Sequence, residues 1–196
     1  MKNFNRDTNW FAVKCSDRNE ILEFLNFRGE EIDWESGVDN MIGTDWLMVS
    51  SPIKNWILLC GSNISEIAFR NLEEFESCEN YIEKTKHIIE FLNRLSKKFS
   101  EAYYFLTHDH NVINSGYFQS LNGQLKAGLI NVDCTITEFV QNNPFDENND
   151  ILEIAGEWTI NPDIIYDDID YNQLTWIKKE KESFFKQMFM KRLMKY

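Results

Sequence analysis

"GYFQSLNGQLKAGLINV", residues 116–132, decides how the chain folds. Two alternating apolar and polar runs flank Asn122-Gly123, a dipeptide that accepts the positive φ angles of a tight hairpin turn. Two antiparallel strands are therefore expected here, and the rest of the sequence is read for strands that extend them. "EAYYFLTH" (101–108) is a β-rich run directly upstream. "DWLMVSS" (45–51) and "NWILLCG" (55–61), separated by "PIK", suit a second hairpin with a Pro-marked connection.

Helical patterns lie between these runs. "WFAVK" (10–14) reads as a strand leading into "SDRNEILEFLNF", where Asp17 and Glu20 have capping-box spacing and Ile21, Leu22, Phe24 and Leu25 supply a buried face. From Glu66 to Phe99, Tyr81, Ile82, Ile88, Ile89, Leu92 and Leu95 recur at three- and four-residue steps, which predicts a long amphipathic helix. "DILEIAGEW" (150–158) predicts a short one after the acidic loop "NNPFDENND" (142–150). Gln173 to Tyr196 is helical by pattern, with Phe185, Met188, Phe189, Leu193 and Tyr196 on one stripe that is expected to close the core. Adjacent strand runs without regular βαβ alternation predict an α+β fold over 1–196: one domain with a mainly antiparallel sheet, flanking helices and a C-terminal amphipathic helix.

The composition excludes several classes. With 196 residues, 43% hydrophobic and 14% aromatic, the chain can bury a sizeable core and is not low-complexity. The opening "MKNFNRDTNWFAVK" lacks a signal-peptide apolar core, and no window approaches a membrane span, so a cytoplasmic setting is expected. Cys15, Cys60, Cys78 and Cys134 form no Cys-x-x-Cys pair and read as structural thiols.

Metal and nucleotide chemistry are weakly written. "YYFLTHDHN" (103–111) places His108 and His110 on one face of a strand, where two imidazoles could share a metal. A catalytic zinc site needs a third ligand, and His87, the other histidine, stands outside any His-Glu-x-x-His frame. "DIDYNQ" (168–173) starts like a calcium loop but has Gln173 at the glycine position and Lys179 at the bidentate acid position. There is no Gly-rich phosphate loop and no Gly-x-Ser-x-Gly. No cofactor is expected. Among the tryptophans, Trp56 and Trp158 read as core, and Trp34, in the polar "DWESGVD", reads as a residue that can contact a partner.

The charge map is more informative. Residues 127–177 hold eleven acids and no Lys or Arg, whereas 178–196 hold seven bases and two acids, in a chain of net charge −12. Phosphates would be repelled by such a surface, which argues against nucleic acid, and a basic protein would be attracted. Asp146, Glu147, Asp150, Asp167, Asp168 and Asp170, with Trp34, are the expected partner-binding residues. Membrane attachment by the basic C-terminal helix is the lesser expectation, because its bases lie near the protein's own acids.

Taken in order, "DWESGVD", "VSSPIKNWILLCG", "LSKKFSEAYYFLTH", "NGQLKAGLINVD" and "AGEWTINP" resemble a group of single-domain bacterial proteins of undetermined activity. The small, acidic, aromatic-rich character is similar to that of immunity proteins of bacterial toxin systems, although the Leu-Pro-x-x-Tyr motif of one common immunity family does not occur. The resemblance implies a protein that blocks a cognate basic toxin by occluding its surface. The alternatives are a metal-dependent hydrolase using His108 and His110, and a peripheral membrane protein held by its C-terminal helix.

Overall fold

The computed structural model describes residues 8–33, 36, 46–60, 78–109, 113–132, 134–141, 143–145, 149–160 and 174–179, with backbone alone at 8, 46, 78–80, 108, 109, 113 and 174–179. In chain order these form β1 (Thr8–Lys14), α1 (Arg18–Leu25), β2 (Glu30–Asp33), β3 (Trp46–Val49), β4 (Trp56–Cys60), α2 (Cys78–Phe99), β5 (Glu101–Asp109), β6 (Ile113–Leu121), β7 (Gln124–Val132), β8 (Thr135–Glu138), α3 (Ile151–Trp158) and β9 (Leu174–Lys179). All nine strands join one sheet in the order β2-β9-β3-β4-β1-β5-β6-β7-β8. Every ladder is antiparallel, which gives the α+β class that the hairpin signals predict.

The Asn122-Gly123 turn forms as its sequence requires, with φ 51° and 83°. It is also fastened to the end of α2. Asn122 N donates to Ser100 O at 2.7 Å and Gly123 N to Ser96 Oγ at 2.9 Å. Ser96 and Ser120 hydroxyls meet at 2.7 Å, and Ser120 Oγ donates to Asn93 Oδ1 at 2.5 Å, so the buried polar groups are satisfied where helix and hairpin meet. Gln119 faces Ala127 and Ser120 faces Leu125, which leaves Lys126 as the extra residue of a β-bulge.

α1 starts at Asp17, whose Oδ1 accepts from Asn19 N at 2.9 Å, and ends at Asn26 in the left-handed region at φ 49°. Its Ile21, Leu22 and Leu25 are buried. α2 buries Tyr81, Ile88, Phe91, Leu92, Leu95 and Phe99. Both helices pack on the face of the sheet that carries Phe11, Val13, Ile57, Leu59, Tyr104, Phe118 and Ile130. α3 packs on the opposite face, against Trp10, Leu58, Tyr103, Phe105, Tyr117 and Leu129. The central strands are thus buried on both sides, which is why "WILLC" is continuously apolar instead of alternating.

Gly128 is required by packing. It stands opposite Phe118, and a Cβ built on it would lie 2.6 Å from Phe118 Cδ1. Gly128→Ala is therefore expected to cost ~1–3 kcal/mol by overpacking a ring that has no free space, a loss that a chemical denaturation curve would read as a lowered midpoint at unchanged slope.

Several sequence expectations are corrected. Residues 174–179 are a strand, not the start of a helix. "LTWIKK" is rich in β-formers and pairs on both sides, with β2 and β3, and these two ladders outweigh a helical pattern whose stripe begins only at Phe185. The C-terminal helix itself, over 180–196, lies outside the described residues, as do 66–77 of the long helix. Ile82 is 36% exposed, so it falls off the buried stripe that Tyr81 and Thr85 define. Cys60 is the buried thiol expected, and burial pushes its pKa well up. Cys15 is half-buried and donates to Asp17 O, while Cys134 is exposed at φ 60° in the turn after β7, where turn geometry outweighs the apolar run before it. The side chain of Cys78 lies outside the described residues.

Candidate partner-binding face

α3 presents the acidic surface. Asp150 caps it, with Oδ1 accepting from Leu152 N at 2.7 Å. Ile151, Leu152, Ile154 and Ala155 turn inward onto β5 and β6, and steps of three and four place Asp150, Glu153 and Glu157 on the outer side, all exposed. The helix contains no Lys or Arg. Asp150 and Glu153 are near the N-terminus, where the helix dipole favours a carboxylate; Glu157 is in the last turn, where the same dipole disfavours it by ~0.3–1 kcal/mol.

A cluster of rings holds this helix in place. Trp158 is half-buried, with ring centroids 5.1 Å from Phe145, 5.4 Å from Tyr117 and 5.5 Å from Tyr103. Tyr117 also donates its hydroxyl to Phe145 O at 2.5 Å. Phe145 and Asp150 are consequently each held in place, the first by the rings and the Tyr117 hydroxyl and the second by the helix start.

Next to the rings, on the same face of the sheet, Lys14 Nζ meets Glu101 Oε1 at 2.5 Å and lies 5.9 Å from the Trp56 ring centroid. Tyr103 OH donates to Glu101 Oε2 at 3.4 Å and accepts from Gln119 Nε2 at 3.2 Å. Burial raises the Tyr103 pKa, with Gln119 opposing and the Glu101 charge adding to it, so the phenol stays protonated and acts as a donor rather than as a base. Lys14 is thus paired with a carboxylate of its own sheet. Sequence reading missed this group because its members come from β1, β4, β5 and β6 and meet only through the strand register.

Of the expected partner-binding residues, Asp150 is placed and exposed. Asp146, Glu147, Asp167, Asp168, Asp170 and Trp34 lie outside the described residues. His108 occupies a β5 position opposite Asn114, but its side chain, and all of His110, lie outside them too. Among the described residues, no group of three or more His, Cys, Asp or Glu side chains could hold a metal ion. No described helix is long and apolar enough to cross a membrane. Glu153 and Glu157 belong to the base-free stretch, and helical spacing was the signal that could have singled them out.

No family model matches the chain, and no curated protein or solved structure matches it.

Proposed function

We propose that the chain is an acidic protein-binding module that recognises a basic protein, an immunity-like role in which its acidic surface covers a toxin. The observation that carries this reading is the exposed carboxylate row Asp150, Glu153 and Glu157 on a helix without a base, inside a sequence stretch that has none from 127 to 177. Glu157 sits at the unfavourable end of the helix dipole, a cost that binding a cation would offset. Such a surface speeds encounter with a basic protein, while phosphate backbones are repelled.

The test is kinetic. A basic partner captured from the source cell is measured against the wild type and the double variant Glu153→Lys, Glu157→Lys at two salt concentrations. Wild-type association is expected to reach ~10⁸ M⁻¹s⁻¹ at low salt and to slow steeply as salt is added. The variant should associate about tenfold more slowly, with its melting temperature nearly unchanged, because surface substitutions outside the core shift stability by only ~0.5 kcal/mol. Reversing Asp146, Glu147, Asp167, Asp168 and Asp170 extends the comparison along the same stretch. An acidic or neutral partner, or a rate indifferent to salt and to these changes, would leave the acidic run with a role in solubility alone.

A further inference from the structure

The two edges of the sheet differ in construction. β2 reads Glu-Glu-Ile-Asp, with Glu30, Glu31 and Asp33 exposed and Arg18 Nη2 bonded to Glu31 Oε1 at 2.9 Å. Charges of this kind keep an edge strand from pairing further. β8 reads Thr-Ile-Thr-Glu, without Lys or Pro and rich in β-formers. Ile136 in it is 43% exposed, more than Ile82, the other large hydrophobic side chain exposed among the described residues.

Backbone register shows what that edge offers. Thr135 faces Val132, Thr137 faces Ile130, and Phe139 N donates to Gly128 O at 2.9 Å. Pairs that bond each other alternate along an antiparallel ladder with pairs that do not. Residues 135, 137 and 139 use their backbone groups toward β7, so the N–H and C=O of Ile136 and Glu138 point outward. Among the described residues no strand pairs with this edge. Asn143 closes its end: its Oδ1 accepts from Gly128 N at 2.7 Å, and its Nδ2 donates to Glu138 Oε2 at 3.2 Å.

We infer that β8 docks an extended basic segment of the partner by strand addition, an inference that rests on the reading of the partner as basic. The outward groups of Ile136 and Glu138 supply the ladder. Ile136 and Glu138 share one face of the strand, two residues apart, and so select an apolar and a basic side chain at the same spacing. A second copy of this chain fits poorly, because it would set Glu138 and the base-free stretch against their own like charges.

The experiment uses a synthetic peptide in which Lys and Val alternate with Thr, its Glu-for-Lys counterpart, and the Lys peptide N-methylated along one edge. Binding is followed at low salt by amide hydrogen exchange and by titration. The Lys peptide should slow exchange at Ile136 and Glu138, the Glu peptide should not bind, and the N-methylated peptide should bind about tenfold more weakly for want of ladder bonds. Ile136→Pro should weaken binding by about the same factor and stay folded, since the N–H it removes has no bond to β7. The N-methylated peptide, used on the wild-type protein, makes the same test independent of that variant's folding. Equal binding by the N-methylated peptide, or protection appearing elsewhere, would overturn strand addition and leave the basic-partner reading standing. A Lys peptide that binds no better than its Glu counterpart would overturn selection of a basic segment at β8, whereas the basic-partner reading falls only on the kinetic test of the α3 variants.

Discussion

A chain ending at Gln173 is expected not to fold. Such a truncation removes β9, which lies between β2 and β3 and pairs with both, from Glu30↔Ile177 to Asp33↔Leu174 on one side and from Trp46↔Lys179 to Val49↔Trp176 on the other. Its loss strips β2 of the one neighbour it has among the described residues and uncovers the edge of β3, whose Leu47, Met48 and Val49 are buried. At ~0.5–1.5 kcal/mol for each ladder bond, the combined loss is on the order of 5 kcal/mol or more, comparable with the whole stability of a domain. Circular dichroism and a thermal melt decide the matter: the truncated chain should show no cooperative transition. Ile177→Pro makes the same point in the full-length protein. Its N–H belongs to a strand paired on both sides, so the substitution should cost ~3 kcal/mol, whereas Ile136→Pro at the open edge should cost little. A truncated chain that melts cooperatively near the full-length temperature would show that β9 is dispensable.

The contrast between β9 and the central hairpin explains how far the sequence could be read. Asn122-Gly123 constrains its own backbone, so local chemistry was enough to place β6 and β7 and, through them, the antiparallel class. Asp17 and Asp150 act in the same local way, each bonding an amide two residues on, and the starts of α1 and α3 were legible for that reason. β2, β8 and β9 carry no such mark. "EEID" has a single apolar residue and "TITE" is four residues long; both are strands because a neighbour offers a ladder, which is a tertiary fact. The acidic character of the candidate face was legible as a charge count, while its geometry depended on which acids a helix turns outward. Glu153 and Glu157 emerge from that projection. The Lys14, Glu101, Tyr103 and Gln119 group depends on register across three strands and leaves no trace in any single segment.

Phe11→Ala should give the largest loss of any single core substitution considered, and Tyr104→Phe, at the neighbouring position, should change stability in the opposite direction. The two residues are cross-strand partners, with ring centroids 4.8 Å apart. Phe11 is fully buried and meets Phe91 of α2 edge to face at 5.2 Å, so its ring joins the long helix to the middle of the sheet. Truncation to Ala removes that ring and leaves a cavity that rigid neighbours on both strands cannot collapse, at a cost of ~3–5 kcal/mol. For a chain of this length, such a loss lowers the melting temperature by roughly 10 °C or more. Tyr104 is equally buried, but its hydroxyl has no hydrogen-bond partner among the described residues, and burial pushes its pKa well up, so ionisation cannot relieve it. An unsatisfied buried hydroxyl costs ~1–3 kcal/mol, and Phe keeps the ring while removing that cost, so Tyr104→Phe should raise stability by about 1 kcal/mol. Denaturant midpoints for the two variants, at matching slopes, supply the comparison. A clear loss on Tyr104→Phe would mean that the hydroxyl is bonded to a residue outside those described, and would turn this ring from a packing element into an anchor for that segment.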